Sequence, residues 1–354
     1  MANIAQQHTP SILLIYTGGT IGMYENPRTG ALENFDFNQL IHYVPEVVKF
    51  GYNIDHYSFA PPIDSSDISP ECWVQLAHIV RDHYDRYDGF VILHGTDTMS
   101  YTASALSFML ENLSKPIILT GSQLPIGQIR TDGKENLLTS IEIAATRTAA
   151  NLPLVREVCV FFERKLMRGN RTTKVNAQGF NAFKSYNHPA IVEAGTHLIY
   201  HPEYALPPNN AAAPLIVHDR LDNNILVIPL FPGIRRQNVE HLLATPNLRA
   251  VILKTYGSGN APQQAWLVEL LNALQTKGVI VVNNTQCLQG RVEMERYGTG
   301  LQLLKAGVVN GYDSTIESMV TKLMVLLGQD SPREHTIMLL GQSIAGEITL
   351  NQHY

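Results

Sequence analysis

Cysteine is scarce in this chain of 354 residues: Cys72, Cys159 and Cys287 are the only three, and no two stand in a C-x-x-C pair. An odd, scattered set argues against a disulfide framework and against a thiolate zinc site, and it suits a reducing compartment. Basic charge is not in excess either. Lys and Arg number 26 against 31 Asp and Glu, a formal net charge of -5, which argues against a nucleic-acid binder working through a general positive field. No apolar run approaches the roughly 18 residues that a membrane-spanning helix needs. The first ten residues lack the basic and apolar segments of a secretion signal. Charged residues make up 16% of the chain and hydrophobic ones 45%, so a substantial core can form and disorder is not a main theme. The expectation is a soluble, cytoplasmic, globular protein. At roughly 150 residues per domain its length suggests about two domains.

What is present is an alternation of short apolar runs with amphipathic stretches, the pattern of an α/β protein with mainly parallel sheets. The run 11–16 is continuously apolar, as a strand buried on both faces should be, and it stops at Thr17-Gly18-Gly19-Thr20. A second run, 89–94, stops at Gly95-Thr96-Asp97-Thr98 and leads into a helical stretch with Ala103, Leu106 and Leu110 in phase. Residues 115–120 and 158–162 read as further strands, with a helix between them that opens at Asp132 and carries Leu137, Leu138, Ile141, Ala144 and Ala145 on one face. Asp132 is expected to cap that helix through its carboxylate. The polar stretch 164–185 reads as a long ordered loop or a hairpin. Proline, asparagine and alanine between 202 and 224 mark a linker. After it strands are expected at 225–231, 250–255 and 278–283, with helices between and after them. The expected architecture is therefore two α/β domains, a larger one at 1–201 and a smaller one at 225–354, joined by 202–224.

Ligands of open parallel sheets bind outside the carboxyl ends of strands. Those ends carry Thr17 to Thr20, Gly95 to Thr98 and, after the run 57–60, Asp64-Ser65-Ser66-Asp67. Hydroxyls, carboxylates and glycines gather there, but no familiar His or Cys nucleophile pair. A phosphate cradle is the rival use of a glycine turn. It is disfavoured, because Gly133-Lys134 is followed by Glu135 and the spacing of Gly18, Gly19 and Gly22 is not G-x-G-x-x-G. A threonine nucleophile needs a base, and a lysine held near a carboxylate can serve. Lys174, in Asn170-Arg171-Thr172-Thr173-Lys174, is available, although taken alone it reads as a solvated surface lysine. His94 reads as a packed, hydrogen-bonded residue, and Trp73 and Trp266 as core or interface residues.

Tyr16-Thr17-Gly18-Gly19-Thr20-Ile21-Gly22, His94-Gly95-Thr96-Asp97-Thr98 and Arg168-Gly169-Asn170-Arg171-Thr172-Thr173-Lys174 resemble the signatures of bacterial-type L-asparaginases. Residues 64–67, 100–112 and 257–262 resemble the cytoplasmic, type I branch, and the likeness runs in order through nearly the whole chain. The resemblance implies hydrolysis of L-asparagine to L-aspartate and ammonia, with no metal or organic cofactor. It implies Thr20 as the nucleophile that forms a β-aspartyl ester, and Thr96, Asp97 and Lys174 as the proton relay. Asp64, Ser65, Ser66, Thr96 and Asp97 would hold the substrate, Asp97 its α-amino group, with Asp67 nearby. It also implies homodimers assembling into tetramers, a neighbour's C-terminal domain helping to close the site, and no nucleic-acid or membrane partner. Backbone N–H groups of the turn 95–97 are the expected oxyanion donors. A carboxylate such as Asp97 beside Lys174 favours the charged lysine, whereas burial favours the neutral one.

Two features depart from the family pattern. The flap 22–32 usually carries a catalytic tyrosine, and here Tyr24 stands unusually close to Thr20. The segment 283–287 resembles one that carries an effector pocket in some type I enzymes. That likeness implies a site at Thr285 and Cys287, but Glu240 stands where an effector-binding arginine is expected, which would weaken capture of a carboxylate. The alternative for Cys287 is a small buried residue at a strand end. An amidotransferase subunit acting on tRNA, with a related core, and a non-catalytic amino-acid sensor are the rival functions. The first would call for a basic surface; the second would lack one of the relay groups.

Overall fold

The computed structural model describes residues 8–25, 42–208, 213–296 and 298–350, and the backbone of 32–34. The chain divides between Val217 and His218 into two compact units. Among the described residues no helix is long and apolar enough to cross a membrane.

The first unit is built on an eight-stranded sheet. In chain order its strands are β1 (Ser11–Tyr16), β2 (Asn53–Ser58), β3 (Gly89–Leu93), β4 (Ile117–Thr120), β5 (Val158–Phe162), β6 (Lys165–Arg168), β7 (Val192–Ala194) and β8 (Leu198–Tyr200). They lie side by side as β8-β7-β6-β5-β4-β3-β1-β2. The five strands β2, β1, β3, β4 and β5 run parallel, and β6, β7 and β8 add an antiparallel edge. Every residue of β3, β4 and β5 is buried. Such strands are continuous apolar runs because both faces are covered.

Helices fill those faces. In α1 (Pro70–Asp82), proline occupies the first turn, where its missing N–H costs nothing, and Trp73, Leu76, Ala77 and Val80 repeat at helical spacing on the buried side. In α2 (Met99–Met109) burial runs nearly all round, so small residues (Ser100, Ala103, Ser104 and Ala105) line it. Leu110 falls just past its end. In α3 (Gly133–Ala145), Leu137, Ile141 and Ala144 pack into one core with Ile12, Leu14, Val91 and Leu93 of the sheet.

Asp132 does precede α3, yet its side chain makes no capping bond to that helix. The carboxylate turns back instead to the loop after β4, where it accepts from the backbone N–H of Gln123 (3.0 and 3.1 Å) and of Leu124 (3.2 Å). The stretch 164–185 resolves into β6, a single 3-10 turn at Gly169–Arg171, and a short hairpin pairing Thr173–Lys174 with Phe183–Lys184.

The second unit holds four parallel strands, β9 (Ile225–Pro229), β10 (Ala250–Thr255), β11 (Ile280–Thr285) and β12 (Val309–Asn310), in that order across the sheet. Alternate residues of β10 enter two different cores. Val251 and Leu253 pack with Leu267 and Leu271 of α5 (Ala265–Thr276), while Ala250 and Ile252 pack with Met319 and Leu323 of α7 (Ile316–Gly328). In the chain α4 (Arg236–Leu243) precedes α5, and α6 (Gly298–Lys305) lies between α5 and α7.

Candidate active site

The order of the parallel strands, β2-β1-β3-β4-β5, reverses direction between β1 and β3. A reversal of this kind opens a crevice at the carboxyl ends of the two strands, because their following segments leave to opposite sides. Thr17 to Thr20 follow β1 and Gly95 to Thr98 follow β3, so both threonine–glycine loops stand at the switch point.

Glycines let these loops touch through their backbones. A methyl group built on Gly18 (φ 138°) would lie 2.1 Å from the Ile63 carbonyl oxygen, and one on Gly19 (φ 89°) 2.4 Å from Gly95 Cα. On Gly95 it would lie 2.5 Å from Ser65 Oγ. No side chain fits at any of the three, and the two positive φ values disfavour one independently. The loops after β1, β2 and β3 are thus packed within one backbone thickness of each other. Thr17 N–H adds a bond to the Leu93 carbonyl (3.0 Å), and Ile63 N–H one to the Thr17 carbonyl (2.7 Å).

Thr20 opens the 3-10 turn Thr20–Gly22. It is half-buried, and its hydroxyl makes no hydrogen bond among the described residues. Thr96 and Asp97 meet Lys174 directly: Lys174 Nζ donates to Thr96 Oγ1 (2.8 Å) and to Asp97 Oδ1 (2.6 Å). Lys174 is 18% exposed and Asp97 62%, so the pair lies at the rim of the protein, with the lysine stem covered. The segment leading to the lysine starts at the buried Arg168, at the end of β6. Arg168 Nε donates to the Glu157 carboxylate (2.6 Å), and its carbonyl accepts from the Thr172 hydroxyl (2.7 Å). This anchors the turn that carries Lys174.

Asp64, Ser65 and Ser66 are brought to the same loops. Ser65 is buried; its Oγ accepts from Asp97 N–H (3.3 Å), and its carbonyl accepts from the Thr98 hydroxyl (2.6 Å). Asp64 caps the turn Ser65–Asp67, accepting from the N–H and the hydroxyl of Ser66, both at 2.9 Å. Those two donors, the N–H first, hold the Asp64 carboxyl below the usual carboxylate range despite a small opposing effect of burial. Asp67 is exposed on the same turn. The oxyanion expectation needs one correction. Asp97 N–H is engaged by Ser65, which leaves the N–H groups of Gly95 and Thr96 without a partner among the described residues.

His94 is packed, as its sequence context suggests. It is fully buried; Nδ1 faces the Gly95 carbonyl (2.6 Å) and Nε2 the Thr102 hydroxyl (2.9 Å). Trp73 Nε1 donates to the same hydroxyl (3.0 Å). An indole N–H can only donate and a carbonyl can only accept, so the ring carries its proton on Nδ1 and accepts at Nε2. Burial pushes its pKa down to about 4, against a smaller upward pull from the Gly95 carbonyl.

Similarity to known proteins agrees with this constellation. A family model described as Asparaginase, N-terminal, matches residues 11–205, and one described as Glutaminase/Asparaginase C-terminal domain matches residues 224–338. The chain belongs to the asparaginase family. It is 44% identical over 345 residues to L-asparaginase 1 of Escherichia coli (strain K12), covering 96% of this chain and 98% of that one. A solved structure of L-asparaginase I from Vibrio cholerae superposes with a TM-score of 0.88 at 41% identity, over 97% of this chain and 100% of the other. The D subunit of the glutamyl-tRNA(Gln) amidotransferase of Pyrococcus horikoshii is 30% identical, and this chain spans 77% of it.

Of the remaining family features, most of the flap 22–32 and the Tyr24 side chain lie outside the described residues. The backbone on either side pairs antiparallel, Tyr24 opposite Glu33. Thr285 and Cys287 lie in the second unit. The Thr285 hydroxyl donates to the Gly257 carbonyl and accepts from Cys287 N–H (3.0 Å). Cys287 is exposed in the chain rather than buried. Glu240 sits on α4, ion-paired to Arg236 (2.7 Å). The cation beside the 283–287 segment in the sheet is Lys254, which stands opposite Asn284.

Gln123 is a site neighbour that motif reading passes over. Thr96 Oγ1 and Gln123 Oε1 are 3.3 Å apart. Its signal in the sequence is its place three residues beyond β4, the same strand-end position that marks the other loops.

Proposed function

We propose that this chain is an amidohydrolase that converts L-asparagine to L-aspartate and ammonia. The observation that carries the reading is the contact of Lys174 with both Thr96 and Asp97 at the β1/β3 switch point, beside a loop that presents Thr20. In this reading Thr20 Oγ attacks the side-chain amide carbon, and its proton passes through Thr96 to Lys174. The C–N bond then breaks, the proton returns to the departing nitrogen as ammonia leaves, and water hydrolyses the β-aspartyl ester along the same relay. The free N–H groups of Gly95 and Thr96 are the oxyanion donors this requires.

Asp64, Ser65 and Ser66 hold the substrate's α-amino and α-carboxylate groups. Asp97 has one oxygen on Lys174 and the other open to the α-ammonium. The chemistry belongs to 1–201, with 202–224 as linker to 225–354. The protein works in the cytoplasm as a homotetramer of paired subunits, without cofactor. The effector pocket at Thr285 and Cys287 has the weaker support, because the Thr285 hydroxyl is committed to the Gly257 carbonyl and to Cys287 N–H. A hyperbolic rate curve would remove it.

The test is release of ammonia and aspartate across asparagine concentration, with glutamine in parallel. Saturable turnover of asparagine supports the proposal. Folded protein that releases neither product contradicts it and favours an amino-acid sensor.

A further inference from the structure

We propose that Gln123 is a positioning residue for proton transfer at Thr96, acting by fixing the direction of the Thr96 hydroxyl. The inference rests on the reading of Thr96 and Lys174 as a proton relay. It starts from a closed ring of contacts. Gln123 Nε2 donates to the Gly179 carbonyl (3.0 Å), and Thr96 Oγ1 donates to Gln123 Oε1 (3.3 Å). Lys174 Nζ donates to Thr96 Oγ1 (2.8 Å), and the hairpin chain from Lys174 to Gly179 closes the circle.

The ring has one consistent set of donors. A carbonyl oxygen can only accept, so the NH2 side of the Gln123 amide must face Gly179 and its oxygen must face Thr96. An amide oxygen can only accept as well, so the single Thr96 proton points to Gln123. The contact between Thr96 and Lys174 is therefore a donation by the lysine into a threonine lone pair. This is the resting arrangement; in the relay the Thr96 proton turns from Gln123 to a Lys174 amine that has lost its own proton, as Thr96 Oγ1 takes up the proton of the reacting threonine, and the reverse passage delivers it to the leaving nitrogen. Its oxygen ends each passage as the hydroxyl it began. Gln123 restores the starting orientation.

Both ends of Gln123 are fixed by groups outside the relay. Its backbone N–H donates to both oxygens of Asp132, a carboxyl raised above its ordinary value by burial against the pull of its N–H donors. Gly179 is held in a turn in which Asn176 Oδ1 accepts from the N–H groups of Gln178 and Gly179, both at 2.9 Å. The amide is thus rigid at the moment it receives the hydroxyl proton, and this is what positioning requires.

The test compares Gln123→Met, Gln123→Glu and Lys174→Met with wild type in steady-state asparagine hydrolysis across pH. Gln123→Met is expected to lower kcat about tenfold or more while KM stays within about twofold. Gln123→Glu loses the bond to Gly179 when ionised and regains it when protonated. Its kcat relative to wild type should therefore climb as pH falls, while the Gln123→Met ratio stays flat. If Gln123→Met does not fold, the pH dependence of the Glu variant decides. Wild-type kcat in a folded Gln123 variant, or a loss confined to KM, overturns the proposal even where Lys174→Met is inactive. Full turnover in Lys174→Met overturns the relay reading and the proposal with it.

Discussion

Gly19 and Gly95 meet backbone to backbone across the β1/β3 crevice, so that a methyl group on Gly19 would lie 2.4 Å from Gly95 Cα and 2.5 Å from its nitrogen. Neither contact is with the flexible end of a side chain, so neither neighbour can yield cheaply. Gly19→Ala should separate the loop of Thr20 from the loop of Thr96, and Gly95→Ala, whose methyl would meet Ser65, should separate the loop of Thr96 from that of Ser65. The expected result is a loss of at least about a hundredfold in kcat, since misplacement near 1 Å has that effect. A fall of a few degrees in the thermal midpoint should accompany it. Gly298→Ala is the control, because nothing lies within 4 Å of its added methyl and its backbone is not left-handed. Wild-type turnover in Gly19→Ala would show that the two loops do not act together.

His94 makes the β3 loop sensitive to acid. Its pKa falls from 6.5 to about 4 in the folded chain, so between those values the unfolded chain takes up a proton that the folded one refuses. Stability should therefore drop as pH is lowered from 6.5 to 4, by about 3 kcal/mol at the lower end from this group. Above 6.5 the group adds no slope. The check is the thermal midpoint of wild type and His94→Gln across this range. The variant should start lower at neutral pH but lose less on acidification. Parallel curves would place the acid sensitivity elsewhere.

Ser66 tunes Asp64. Its N–H and hydroxyl favour the ionised carboxylate, and Ser66→Ala removes only the second donor. The Asp64 carboxyl should then rise, so its charge is lost at a higher pH on acidification. The acid limb of kcat/KM for asparagine is expected to move to higher pH, with the change carried mainly by KM. Comparison of pH–rate profiles for Ser66→Ala and wild type checks this. An unshifted limb would mean that Asp64 does not hold the substrate's ammonium group.

The loops of the candidate site were legible because each is a local signal: a continuous apolar strand that ends in glycine and hydroxyl residues. Contacts between loops were not. Lys174 and Asp97 are separated by 77 residues, and nothing near Lys174 in the chain distinguishes it from a solvated surface lysine. Asp132 was legible as a residue before a helix, but its carboxylate serves Gln123 nine positions upstream. A capping rule looks only downstream. The edge strands β6, β7 and β8 escaped because they are three or four residues long, too short to show a period. Gln123 escaped because its role appears only once Thr96 and Gly179 are brought to its two ends.

Thr20 as nucleophile is the centre of this account. Its most direct test is acid-quenching of the enzyme during asparagine turnover, followed by peptide mass spectrometry of wild type and Thr20→Ala. An aspartyl ester on the peptide that contains Thr20, absent from an inactive and folded Thr20→Ala protein, is the expected result. Turnover by Thr20→Ala near the wild-type rate, or the ester on another residue, would contradict it.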